Sequence, residues 1–207
     1  MIFILNYIKL ILLLKERYEL QDLLLNDDTS IDKSSTTFGT PVNIRGSSNY
    51  SISYTDNSYG LYGSSTSGAV GCFALPVLSQ MTSYILEFDS YTSSQGVGAG
   101  ISLGNTSNYA YIYAKDSWDS WKTGNGTSSS SNESKFTKSE SIQNKWCHYI
   151  ITRNNSDLNF KIYINNSLIA DTSVNLNSSI SSSNQGISYG YSGNITIQIK
   201  NIKVRAL

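Results

Sequence analysis

Residues 144–172 read Asn144-Lys-Trp-Cys-His-Tyr-Ile-Ile-Thr-Arg-Asn-Asn-Ser-Asp-Leu-Asn-Phe-Lys-Ile-Tyr-Ile-Asn-Asn-Ser-Leu-Ile-Ala-Asp-Thr172. Trp146 to Thr152 is rich in aromatic and β-branched side chains, which suit a pleated, half-buried surface. Asn154, Asn155, Ser156 and Asp157 make a polar turn. Phe160, Ile162 and Ile164 then alternate with Lys161 and Tyr163, so one face is apolar and the other wet. Asn165-Asn166 follows, and Asn tolerates the left-handed backbone of a tight hairpin. Ser167 to Thr172 returns as a third strand. Such an antiparallel meander must bury its apolar face under a second sheet.

The same stretch resembles a hallmark of the concanavalin A-like lectin/glucanase superfamily, the laminin-G-like jelly roll. The matching residues are Asn144, Trp146, His148, Thr152 and Arg153, then a polar turn and an apolar strand ending at Tyr163 and Asn165. Asn166 stands where that pattern has Gly. The resemblance implies an all-β, two-sheet antiparallel jelly-roll sandwich over residues 18–207, and it implies the fold more firmly than any one activity.

The 207 residues suffice for one sandwich with a real core and are too few for two ordinary domains and a linker. Formal net charge is zero and only 14% of residues are charged, so no basic stripe points to nucleic acid. Fifteen Tyr and two Pro accompany many Ser, Thr and Asn, a composition of extracellular β-rich modules. The hydrophobic content of 39% argues against disorder. Cys72 and Cys147 both fall in expected strands, as small buried side chains or as a disulfide if those strands are neighbours. One His and no Cys-x-x-Cys disfavour a zinc site.

Residues 1–14 are strongly apolar but shorter than the roughly 20 residues a membrane-spanning helix needs. Lys9, Lys15 and Arg17 lie inside and after the run, and no small-residue cleavage site follows, which is a poor signal peptide. Residues 1–17 are expected to form a helix or extension outside the sandwich, open to a protein partner or a membrane surface. A first strand is expected within 18–28, and 29–48 reads as loop with a short strand at Val42–Arg45. Residues 49–62 read as a hairpin about Asp56-Asn57, and 69–78 as a buried strand stopped by Pro76. Residues 83–91 put Leu86 and Phe88 on one face and Ile85, Glu87, Asp89 and Tyr91 on the other. Gly96 to Gly100 leads into a strand at Ile101 and Leu103, and 108–114 is an aromatic strand. Residues 115–140 read as a long irregular loop. Strands are expected at 186–192 and 194–205. In the latter, Ile195, Ile197 and Ile199 are out of phase with Ile202 and Val204, so a β-bulge near Lys200-Asn201 is expected.

Three groups of residues carry candidate chemistry. Glu87 and Asp89 sit at i and i+2 on one face, a pairing that glycosidases exploit. The resemblance sharpens this: laminarinase-like glucanases carry Glu-x-Asp-x-x-Glu on one strand. Here Thr92 replaces the second Glu, the acid that protonates the leaving group. The polar face of an ordinary strand is therefore the favoured reading, with either carboxylate free to hold a sugar hydroxyl. Trp118 and Trp121, just after Tyr109, Tyr111 and Tyr113, offer flat faces for sugar rings, against the alternative of packing under their own loop. Tyr59 and Tyr62 are weaker candidates of the same kind. Asp116 and Asp119, and Asp27, Asp28 and Asp32, are calcium candidates without a loop motif, and solvated turn residues are the better reading. No cofactor is expected. His148 aligns with the hallmark His, where its role looks structural.

The expectation is a non-catalytic carbohydrate-binding or adhesion module, outside the cell, on a cell surface or on a virion such as a virus tail. Its partner is a cell-surface glycan or polysaccharide, and homo-oligomers would raise its avidity. The alternatives are a structural assembly domain and, disfavoured by Thr92, a glycoside hydrolase.

Overall fold

The computed structural model describes residues 38–45, 49–79, 81–94, 98–114, 121–127, 130–176, 180 and 184–207. The expected helix or extension at 1–17 and the strand within 18–28 lie outside the described residues. So do Trp118 and the aspartates 27, 28, 32, 116 and 119.

Twelve strands are found among the described residues: β1 Val42–Arg45, β2 Asn49–Thr55, β3 Ser58–Ala74, β4 Ser83–Tyr91, β5 Gly98–Gly104 and β6 Asn108–Ala114. They continue as β7 Trp121–Thr127, β8 Ser130–Ser134, β9 Trp146–Asn154, β10 Asp157–Ile164, β11 Ser167–Asn175 and β12 Gln185–Ala206. All pairings between them are antiparallel.

The hairpins turn where Asn and Asp can take positive φ. Asp56 and Asn57 do so at 51° and 59° between β2 and β3, and Asn165 and Asn166 at 50° and 63° between β10 and β11. Both residue pairs thus supply the two left-handed positions of a two-residue turn, and Asn166 stands in for the usual Gly without altering the connection.

Two long strands organise the molecule. β3 and β12 pair along most of their length, and β12 changes its other neighbour halfway. Residues 185–190 of β12 pair with β5, so the first leaf runs β1, β3, β12, β5, β6, β7, β8. Residues 198–206 pair with β4, so the second leaf runs β2, β3, β12, β4, β9, β10, β11. The shared strands make the leaves two halves of one folded sheet, with an irregularity in register between Tyr191 and Gly193.

The core lies between the leaves. Ile101, Leu103 and Ile112 come from the first, and Leu86, Phe88, Tyr149, Ile151, Phe160 and Ile162 from the second; all are fully or almost fully buried. Phe88 and Tyr149 stack with ring centroids 4.9 Å apart, and Phe160 meets Tyr149 edge-on. β4 and β9 show strict alternation of buried and half-exposed positions, as the period of two requires.

Three sequence expectations change. The strand expected at 69–78 is the second half of the single β3, and Pro76 opens a short 3-10 turn, Pro76–Leu78, after it. The irregular stretch 115–140 contains β7 and β8, whose Gly, Ser and Asn residues gave no strand signal. The strands expected at 186–192 and 194–205 are one strand, β12, with the anticipated bulge: register slips between Lys200 and Lys203, and Asn201 takes a φ of 53°. Cys72 and Cys147 are both buried free thiols, with no bond between them. Burial pushes the Cys72 thiol up to about 12, so it stays protonated and inert.

Candidate functional site

The solvent-facing side of the second leaf is built by β12, β4 and β9. Glu87, Asp89 and Tyr91 of β4 face outward because Leu86, Phe88 and Ser90 face the interior. Across the ladder, Asp89 lies opposite His148 and Tyr91 opposite Trp146 on β9. On the other side Asp89 lies opposite Lys200, and Glu87 opposite Lys203, on β12.

The two carboxylates converge on one imidazole. His148 Nδ1 is 2.9 Å from Asp89 Oδ1, and His148 Nε2 is 3.4 Å from Glu87 Oε2. The other oxygen of Asp89 accepts a 2.6 Å bond from Asn201 Nδ2. Asn201 is the bulged residue with positive φ, so the register slip of β12 aims a side-chain amide at β4. The bulge thus both rephases the core side and completes the outer network.

Hydrogen bonds to Asp89 and Glu87 raise the His148 pKa to about 9, against a smaller opposing effect of burial. For Asp89 burial acts to raise the pKa, but hydrogen bonds from His148 and Asn201 and the charges of His148 and Lys200 outweigh it and leave it lowered. His148 is therefore an imidazolium at neutral pH, clamped between two carboxylates. A group whose pKa is raised by folding stabilises the fold fully below its unfolded value and loses that contribution as pH climbs through the folded one. Stability should thus decline between about pH 6.5 and about pH 9 through His148, and, through Asp89, at acid pH below the ordinary carboxylate range. The His148 side chain is 40% exposed, so solvent screening holds the effect to about 1 kcal/mol or less. Urea midpoints followed from pH 6 to 9.5 should fall for the wild type more than for His148→Gln. Parallel curves for the two proteins would show that the clamp stores nothing.

Beside this network lies an aromatic pair. Trp146 keeps 38% of its surface exposed and tilts against Tyr91, with centroids 5.6 Å apart. Lys200 Nζ lies 3.8 Å from the centre of the Trp146 ring, so the lysine side chain reaches across β4 to the indole. The face therefore combines a partly exposed aromatic pair, a cation lying over its indole, and a row of fixed polar groups.

The sequence-derived candidates distribute unevenly. Glu87 and Asp89 fall in this network. Tyr62 is half-buried on the same outer face, on β3. Tyr59 is 3% exposed and packs against Phe38 and Tyr54 in the core, because the alternation of β3 puts it beside Leu61 on the inner side; its ring offers no free face. Trp121 opens β7 in the other leaf. Tyr109, Tyr111 and Tyr113 are buried on the opposite face of the first leaf, with Ile44, Val70 and Cys72, and lean on one another at 5.6–5.8 Å. Trp146 and Lys200 were missed as site residues. The available signal was parity: Trp146 shares the face of His148, opposite the buried Cys147 and Tyr149. Thr92, at the position of the missing acid, is 4% exposed, bridges to Gln143, and bonds the backbone of Ser94. Among the described residues no group of three or more His, Cys, Asp or Glu is placed to hold a metal ion.

The chain matches no protein-family model and no curated protein. Solved structures do share its architecture. A functionally unknown protein from Saccharomyces cerevisiae aligns with a TM-score of 0.56 at 11% identity, covering 86% of this chain and 99% of that one. Peanut lectin, solved with a 9mer peptide, aligns at 0.50 and 8% identity over 82% of this chain and 99% of its own. A sialidase aligns at 0.50 and 11% identity over 86% of this chain but only 18% of its own. The fold is thus the concanavalin A-like jelly-roll sandwich. At these identities the likeness concerns fold alone.

Proposed function

We propose that this chain is a non-catalytic carbohydrate-recognition module that works outside the cell, at a cell surface or on a virion. The observation that carries this reading is the half-open Trp146–Tyr91 pair beside a fixed row of hydrogen-bonding side chains on one sheet face. Indole and phenol rings supply flat apolar area for the C–H face of a sugar, at little cost in side-chain entropy. Polar groups already held in place by Asp89, His148 and Asn201 provide hydroxyl partners without further ordering. The lectin and the sialidase among the structures of like fold support a sugar ligand. The binding surface is an open face, so single-site affinity is weak and arrayed copies supply the strength.

Catalysis is disfavoured by the same geometry. Retaining glycosidases need one carboxylate to attack and another to donate a proton. Here Glu87 and Asp89 both serve His148, and the third position is the buried hydroxyl of Thr92. The test is a glycan array read with a multimerised full-length chain. Binding is expected, and Trp146→Ala should weaken it roughly tenfold, as loss of an aromatic anchor does. If Trp118→Ala or Trp121→Ala abolishes binding while Trp146→Ala leaves it intact, the site lies in the segment the sequence first suggested. A folded multimer that binds no glycan at all would leave the assembly-domain reading standing.

A further inference from the structure

The charges of the outer face do not cancel evenly. Asp89 spends one oxygen on His148 and the other on Asn201, and Glu87 turns to the same imidazole. Elsewhere on the surface Lys161 is paired with Asp171 and Lys145 with Glu140. Lys200 differs. Its contact is the Trp146 ring, and among the described residues no carboxylate oxygen lies within 4.0 Å of its Nζ. A cation–π contact satisfies the charge in part and leaves the ammonium N–H donors to solvent. β12 adds Lys203 and Arg205 along the same side of the leaf, whose inward positions are Ile202 and Val204. The amine is therefore held over the ring of Trp146, the one indole exposed on this face among the described residues, with its N–H donors turned to solvent and the nearby anions already engaged.

We propose that the glycan recognised here carries an anionic group, a carboxylate or a sulfate, which the Lys200 ammonium receives while the adjoining sugar ring lies against Tyr91 and the part of Trp146 that Lys200 leaves open. This rests on the carbohydrate-recognition reading and narrows it to acidic glycans. Three features select for the anion. His148 offsets one of the two negative charges of Asp89 and Glu87 and draws both carboxylates toward itself, which lessens their repulsion of the ligand anion. The donors of Lys200 need no partner to be displaced. The indole fixes the position of the amine, so a charge-assisted hydrogen bond forms with little further ordering of the lysine chain.

The experiment is an array on which uronate-bearing, sialylated and sulfated glycans each stand beside their neutral parent, read with the multimerised full-length chain and its Lys200→Gln variant. Acidic members should exceed their parents roughly tenfold, the gain expected of a hydrogen bond to a charged group. Added salt should erode that preference, and Lys200→Gln should erase it while residual binding of neutral parents persists. Lys200 is surface-lying, and far-ultraviolet circular dichroism checks that the variant is folded; the acid-against-parent comparison in the wild type holds independently of the variant. Equal binding of acidic and neutral partners overturns this inference and leaves carbohydrate recognition intact. Binding of no glycan overturns both. Preference for uronates over sulfates, or the reverse, identifies which anion is read, and either supports the proposal.

Discussion

Gly100→Ala and Gly186→Ala are each expected to destabilise the fold by about 3 kcal/mol or more, among the largest single-residue effects in the chain. A Cβ added at Gly100 would lie 1.9 Å from the carbonyl oxygen of Ile112 and 2.6 Å from Cα of Tyr113. At Gly186 it would lie 2.0 Å from the carbonyl oxygen of Phe73 and 2.7 Å from Cα of Ala74. The obstacles are backbone atoms of paired strands, so no rotamer change relieves them; a ladder must part. The cause is the curl of the first leaf. Ser188 Oγ reaches over β5 to the carbonyl of Ile112 at 3.2 Å, and Ser102 Oγ reaches over β12 to that of Gly71 at 3.5 Å. Bonds between strands two places apart require the strand between them to carry no side chain there. Gly39→Ala is the control: its Cβ would meet Pro76 Cγ at 3.6 Å, an ordinary contact, and should change stability by less than about 0.5 kcal/mol. Urea midpoints separate the cases. Glycine variants at 100 and 186 as stable as Gly39→Ala would show that the leaf is flatter than described.

How much of this was legible in the sequence varied with burial. β4, β9 and β10 were readable residue by residue, because each has one face in the core and one in water, and alternation then appears in the letters themselves. The bulge in β12 was readable for the same reason: Ile199 and Ile202 are both buried, and a regular strand cannot bury both. β5 and β6 are buried on both faces, so alternation gives way to Gly and Tyr. The Tyr109, Tyr111 and Tyr113 row then looked like a candidate surface when it is a second buried cluster. β7 and β8 are rich in small polar residues that signal turns, and only the pairing of β7 with β6 and of β8 with β7 makes them strands. The site shows the same division. Glu87 and Asp89 announced themselves by spacing. Their convergence on His148 depends on strand register across the β4–β9 ladder, which no local pattern encodes. The hallmark residues also separate by face. Trp146 and His148 serve the outer surface, whereas Arg153 turns inward and is 4% exposed.

Gln185→Met should cost about 3–4 kcal/mol, far more than its modest change in shape suggests. Gln185 is 1% exposed at the start of β12 and spends both ends of its amide at the close of the sandwich. Its Nε2 donates to the carbonyls of Leu78 and Met81 at 2.7 and 2.8 Å. Its Oε1 accepts from the Tyr84 hydroxyl at 2.9 Å and from Arg153 Nη1, which also donates to Met81. One amide thus joins β12, β4, β9 and the 3-10 turn. A thioether of similar volume fills the space but takes none of these bonds. The buried Tyr84 hydroxyl would lose the amide oxygen it donates to, Arg153 Nη1 would keep Met81 but lose its side-chain acceptor, and burial already works against the Arg153 charge. Tyr84→Phe is the smaller cut: it removes the hydroxyl shared by Gln185 and Arg153 and nothing else of the network. It removes a donor but leaves Oε1 with Arg153, so about 1 kcal/mol is expected. Urea denaturation with unchanged slope is the measurement. The order matters more than either value: Gln185→Met must exceed Tyr84→Phe severalfold. Equal costs would mean that Arg153 finds its support elsewhere, and that the hallmark Arg is not anchored through this amide.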